Sequence, residues 1–199
     1  MAINTEVAAP PLHGEIIMSP DEVKLAVVGM AEDIIEKFQG KNPLFVCLMR
    51  GGVYFATELM KAIVEKDLYF NPQLDYMTVS TYGDGQKAGE PRIVMDLGPD
   101  IDLTNRPVIV LDDLIDNGNT YTHTRQHLQS RGVDEENIYL AVLAQRVRKD
   151  RDIHADFAGI QVESQEWLAG AGMNDNRHGD EALRWFGGIA IAIKPGELQ

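Results

Sequence analysis

The sequence predicts an α/β fold with a mostly parallel central sheet flanked by helices. Two observations carry this. Apolar runs rich in β-branched residues alternate with segments of helical periodicity, the pattern of repeated βαβ units. Several of those runs end in a small-residue turn that opens a helix, so their carboxyl ends should line one crevice.

The elements follow in order. Ser19-Pro20-Asp21-Glu22 is a helix start: Ser19 can cap, Pro20 suits the first helical position, and Glu22 completes a capping box. Val23, Val27, Met30, Ala31, Ile34 and Phe38 then recur at helical spacing, and Gly40 ends the pattern. Leu44 to Met49 is a buried strand, broken by Arg50-Gly51-Gly52. Val53 to Val64 reads as a second helix with Phe55, Leu59 and Ile63 on one face. Leu74 to Ser80 alternates as a strand does, Tyr82 to Pro91 is a polar, Gly-rich loop, and Arg92 to Met95 resumes strand character. Val108 to Leu111 is an apolar strand that ends at Asp112-Asp113. A helical pattern, Tyr121 to Arg131, follows the loop Asp116-Asn117-Gly118-Asn119-Thr120. Ile138 to Ala144, Phe157 to Val162 and Gly188 to Ile193 are the remaining strands.

The 199 residues are 44% apolar and 25% charged, ordinary for a globular protein with a real core. No repeat or linker divides them, so residues 15–199 are expected to form one domain behind a flexible tail, residues 1–14. That tail lacks the basic start and apolar core of a secretory signal. No run approaches a membrane span. A formal net charge of −13 argues against a nucleic-acid partner. The single cysteine, Cys47, lies inside an apolar strand and reads as a small hydrophobe. It forms no intrachain disulfide, which suits a reducing cytoplasm.

The functional signal is concentrated in residues 108–120. A strand feeding a Gly-containing turn and then a helix N-terminus is an anion site, because the first-turn N–H groups lack helical partners and the dipole favours negative charge. Carboxylates just before it suit a ligand that carries hydroxyls or a metal beside its phosphate, such as a sugar phosphate. The competing reading is an ordinary turn with solvated acids.

This stretch resembles the phosphoribosyl pyrophosphate motif of phosphoribosyltransferases: apolar strand, Asp112-Asp113, two apolar residues, Asp116, and a small-residue loop ending in Gly118-Asn119-Thr120. From about residue 15 onward the chain is similar to the hypoxanthine-guanine phosphoribosyltransferase family. The resemblance implies a type I phosphoribosyltransferase-like fold, with a small hood formed from the terminal segments. It implies transfer of phosphoribosyl from phosphoribosyl pyrophosphate to a 6-oxopurine, hypoxanthine or guanine, with Mg2+ as cofactor and a homodimer or homotetramer as the assembly. The alternative is a nucleotide-sensing protein that keeps the phosphate site without turnover.

The resemblance also implies roles. Asp112 and Asp113 would bind the ribose hydroxyls, directly or through magnesium. Asp116, Asn117, Gly118, Asn119 and Thr120 would hold the 5′-phosphate, and Asp116 would double as general base. Arg50, Gly51 and Arg184 would contact pyrophosphate, with a cis peptide preceding Arg50. Thr81 and Tyr82 resemble the Ser-Tyr pair of the family's mobile loop, with threonine replacing serine. Arg146, or Gln145 in a register shifted by one, falls where the family places a lysine at the purine 6-oxygen. Trp167 falls where an aromatic ring stacks on the purine; its alternative is a core aromatic. Asn174 stands where an aspartate binds a second magnesium, Asn119 where lysine is common, and Asn176 to Glu181 contains a short insertion.

Two other patterns weigh less. His123 and His127 have a metal-compatible spacing but lack the glutamate of a zinc protease helix, so a solvated pair is expected. The basic run Arg146 to Arg151 reads as a solvated loop near the anionic site.

Overall fold

The computed structural model describes residues 14–82, 88–149, 152–173 and 183–192. In chain order these form β1 (Ile16–Met18), α1 (Pro20–Phe38), β2 (Leu44–Met49), α2 (Gly52–Lys66), β3 (Gln73–Tyr82) and β4 (Ala88–Met95). There follow β5 (Val108–Ile115), α3 (Asn119–Ser130), β6 (Ile138–Arg146), β7 (Phe157–Val162), β8 (Leu168–Ala169) and β9 (Ile189–Ile191). Six strands form the main sheet in the order β4-β3-β2-β5-β6-β7. Every neighbouring pair is parallel except β3 with β4. A separate antiparallel sheet, β1-β9-β8, joins the two ends of the chain and is the hood.

The continuous apolar runs are explained by helices on both faces of the sheet. Phe45, Cys47, Ile109, Leu111, Ala141 and Leu143 turn to one face and pack with α1 and α2. Leu44, Val46, Val108, Val110, Leu140 and Val142 turn to the other and pack with Tyr121 and Leu128 of α3. The buried stripe of α1 is Val23, Val27, Met30, Ala31, Ile34 and Phe38. Its capping box forms: Glu22 N–H donates to Ser19 Oγ at 3.3 Å and Ser19 N–H to Glu22 Oε2 at 2.8 Å. Lys37 lies over the rings of Tyr139 and Phe157, at 4.5 and 5.3 Å from their centroids, where its stem covers apolar surface.

Some boundaries differ from the sequence reading. β5 does not stop at Leu111; it runs through both acids to Ile115, because β6 pairs with it as far as Ile115 opposite Gln145. Strand β4 begins at Ala88, inside the stretch read as loop, and Pro91 is tolerated because β4 is an edge strand. Residues 83–87 of that loop lie outside the described residues. Helix α3 starts two residues before Tyr121, at Asn119. The hood strands β1 and β8 escape the sequence reading altogether, being three and two residues long.

Candidate active site

The site forms where β2 stops and β5 continues. The parallel ladder between them ends at Cys47 opposite Leu111, so Asp112 and Asp113 lie beyond the last paired residue on that side. The turn leaving β2 fills the space. The Met49–Arg50 peptide is cis, Arg50 is exposed, and Gly51 lies flush on the acids: a Cβ there would fall 2.2 Å from Asp113 Oδ2. Any side chain at Gly51 would have to push the Asp113 carboxylate from this position.

Burial raises the Asp112 carboxyl well above the usual range, and the adjacent Asp113 charge pushes it further. Asp113 is also raised by burial, against the pull of Asp112, the Leu114 N–H and the Arg184 charge. Their side chains are tied to the local backbone: Asp112 Oδ1 accepts from Asp113 N–H at 3.0 Å, and Asp113 Oδ1 from Leu114 N–H at 2.7 Å. Cys47 is sealed behind them with no exposure. Burial, then Asp112 and Asp113, push its thiol up to about 12, so it carries no thiolate chemistry.

Next comes the phosphate loop. Gly118 caps α3 in the left-handed region, φ 82°, a backbone state that glycine adopts without a Cβ clash. Asn117 Oδ1 accepts the Asn119 N–H at 3.0 Å and shapes the loop. A cleft of about 100 Å³ sits here, lined among others by Asp112, Asp116, Asn117, Gly118 and Thr120.

A larger cavity of about 420 Å³ adjoins it, lined among others by Asp113, Asp116, Arg146, Arg148, Glu166 and Trp167. Asp116 lines both. Trp167 is half-buried and faces the cavity, so it is not a core aromatic. Arg146 is buried, and its fork is already engaged. Nη1 donates to the Ser164 carbonyl, Nη2 to the Glu166 carbonyl at 3.1 Å, and Nε lies 3.3 Å from Asp116 Oδ1. Gln145 turns elsewhere: its Oε1 accepts the Ala155 N–H at 2.8 Å, and it is not among the cavity-lining residues. Of the two positions read for the purine 6-oxygen, then, one faces away and the other is occupied by backbone carbonyls.

Arg184 is buried in the 3-10 turn Leu183–Trp185, donates from Nη1 to the Gly172 carbonyl at 2.7 Å, and acts electrostatically on Asp113. Thr81 and Tyr82 end strand β3. Asn174, and the insertion at 176–181, lie outside the described residues. His127 is more than half of a solvated pair: Nε2 lies 2.9 Å from Asp96 Oδ2, and Arg131 Nη1 reaches Asp96 Oδ1 at 3.1 Å, tying α3 to the end of β4.

Sequence reasoning missed Arg148, placing it in a solvated basic run. Its Nη1 donates to Asp116 Oδ1 at 3.0 Å. A usable signal was its parity with Arg146, which puts both residues on one side of an extended chain.

Residues 15–176 match the phosphoribosyl transferase domain family. The chain is similar to the hypoxanthine-guanine phosphoribosyltransferase of Streptococcus thermophilus, 30% identical over 162 residues, 80% of this chain and 84% of that protein. It is also similar to the bifunctional protein TilS/HprT of Listeria monocytogenes, 28% identical over 161 residues, 80% of this chain. The chain spans about a quarter of the length of such bifunctional relatives, 24% in that case. Among solved structures, a hypoxanthine phosphoribosyltransferase from Staphylococcus aureus superposes with a TM-score of 0.76 and 25% identity, covering 90% of this chain and 91% of that one.

Proposed function

The chain belongs to the hypoxanthine-guanine phosphoribosyltransferase family, and on that premise we propose that it transfers phosphoribosyl from phosphoribosyl pyrophosphate to hypoxanthine or guanine in purine salvage. The observation that carries this is the pair of adjoining cavities that meet at Asp116. One is an N–H-rich cleft at a helix start, suited to a 5′-phosphate. The other is larger, has an aromatic wall and charged donors, and suits a planar base. The sensing alternative has no observation in its favour.

As pyrophosphate leaves, positive charge builds on the anomeric carbon, and the purine ring nitrogen forms the new bond while its ring proton is lost. Asp116 takes that proton. Asp112 and Asp113 hold the ribose hydroxyls, and the backbone from Asp116 to Thr120, with the Thr120 hydroxyl, holds the 5′-phosphate. Arg50, Gly51 and Arg184 hold the leaving pyrophosphate. Thr81 and Tyr82, the last residues of β3, take the part of the family's mobile-loop pair, and Trp167 stacks on the base.

Magnesium fits the acids. Two adjacent carboxyls, both raised by burial and Asp112 further by the Asp113 charge, are relieved by a divalent cation, and their oxygens are the hard donors it prefers. Asp112 and Asp113 would hold it, and when bound it neutralises pyrophosphate charge. Among the described residues no helix is long and apolar enough to cross a membrane. We place the protein in the cytoplasm, as a homodimer or homotetramer.

The test is turnover of hypoxanthine, guanine and adenine with phosphoribosyl pyrophosphate and magnesium. The 6-oxopurines should react and adenine should not. Asp116→Asn should keep phosphoribosyl pyrophosphate binding and lose turnover by roughly 10²-fold or more. Adenine as the preferred base would refute the reading, and a fully active Asp116→Asn variant would refute the general base.

A further inference from the structure

The base cavity contains a second guanidinium whose role the family resemblance does not cover. Arg146 spends its fork on the Ser164 and Glu166 carbonyls and on Asp116. A rigid, multi-donor group used this way fixes the segment that leads into Trp167. Two residues on, Arg148 lines the same cavity, keeps 29% of its side chain exposed, and sets Nη1 3.0 Å from Asp116 Oδ1. We infer that Arg148 is the residue that reads the purine 6-oxygen, and that Arg146 is a positioning residue for the cavity wall. The inference rests on the 6-oxopurine reading above.

The argument is one of matched edges. In a 6-oxopurine, N7 and O6 share one edge and lie close enough for a single guanidinium to span both. During attack through the opposite ring nitrogen, the proton that must leave sits on N7. That edge therefore presents a donor at N7 beside an acceptor at O6. The cavity presents the complement, with the acceptor Asp116 beside the donor Arg148 at 3.0 Å. With a 6-aminopurine the edge shows two donors, and Arg148 meets an amino group it cannot bond. Arginine carries five N–H donors, so Arg148 can hold Asp116 and O6 together. The acceptor–donor pair is assembled before a base arrives, so its geometry is built in advance of binding.

The test compares hypoxanthine with unsubstituted purine, which keeps N7 and lacks the 6-oxygen. Wild type, Arg148→Ala, Arg148→Lys and Arg146→Ala are each assayed for kcat/KM with both bases and for the KM of phosphoribosyl pyrophosphate. The wild type should favour hypoxanthine. Arg148→Ala should shrink the hypoxanthine-to-purine ratio by about tenfold or more, the scale for losing a charged hydrogen bond to substrate. Its KM for phosphoribosyl pyrophosphate should stay within about twofold, and Arg148→Lys should restore part of the ratio. Arg146→Ala should lower both bases alike, as loss of a positioning contact does. A ratio unchanged in Arg148→Ala, or one that collapses in Arg146→Ala instead, overturns the inference while the proposed function stands. A wild type that turns over no oxopurine overturns both.

Discussion

Gly172 is the contact through which the hood meets the pyrophosphate turn, and Gly172→Ala should damage both stability and substrate binding. Its φ is +100°, and a Cβ built there would fall 2.1 Å from the Gly51 carbonyl oxygen and 3.3 Å from Tyr54 Cβ. Comfortable C···O contacts begin near 3.3 Å, so the two segments must separate by roughly 1 Å. The backbone conformation alone costs an L residue roughly 1–2 kcal/mol, and overpacking typically adds about 1–3 kcal/mol. Together that is about 2–5 kcal/mol, or a fall in Tm of roughly 5–15 °C for a chain of this size. The Gly172 N–H donates to the Arg184 carbonyl at 2.9 Å, so displacement also drags Arg184 from its seat by Asp113. The KM for phosphoribosyl pyrophosphate should therefore rise more than the KM for the base. Thermal melting and initial-rate kinetics read the two effects. Gly29→Ala is the control: it lies within α1, and an added Cβ there meets nothing within 4 Å. It should be neutral or stabilising by up to about 1 kcal/mol. A Gly172→Ala protein that melts with the wild type and keeps its KM would refute this account of the hood.

Two further predictions concern α3. Thr120→Ala should weaken binding of a nucleoside 5′-monophosphate while leaving the parent nucleoside's affinity unchanged, since Thr120 lines the smaller cleft and not the larger cavity; calorimetry with both ligands checks it, and equal losses would contradict the phosphate role. Asp96→Asn should cost less than about 1 kcal/mol at neutral pH, as expected for an exposed pair. Burial alone would raise the Asp96 carboxyl, but the Leu97 N–H, His127 and Arg131 outweigh it and hold it below the usual range. A depressed carboxyl stabilises the fold above its unfolded titration and loses that contribution as pH falls through its folded one. The difference between variant and wild type should therefore vanish in acid, and urea titrations across the acidic range would show whether it grows there instead.

Much of this architecture is legible in the sequence because local chemistry and tertiary need agree. The α1 cap and stripe, the limits of β2 and β7, and the phosphate loop follow from residue types at short spacing. Other features depend on partners distant in the chain. β1 and β8 exist only because β9 pairs with both, and two or three residues hold no period to read. β5 reaches past its acids because β6 supports it, and nothing in Asp112-Asp113 announces that. The same register decides the base cavity. Leu114 pairs with Ala144 and Ile115 with Gln145, so Arg146 shares the face of Leu114 while Gln145 takes the other. A one-residue slip exchanges those faces, and residue types alone leave either assignment open. Arg148 was hidden for a related reason: a basic run looks solvated until the strand before it fixes which cations turn inward.

Sealing Cys47 at the centre of the sheet has a practical consequence. It is the chain's sole thiol, its proton is held to about pH 12, and β2 is flanked on both sides by β3 and β5. Toward alkylating reagents the folded protein behaves as if it had no cysteine, so a thiol introduced at an exposed site such as Tyr69 would take a single label without background. Cys47 itself would react only when the central strands part. The rate at which it is trapped then becomes a built-in clock for opening of the core, and substrates that lock the β2 and β5 ends together should slow it.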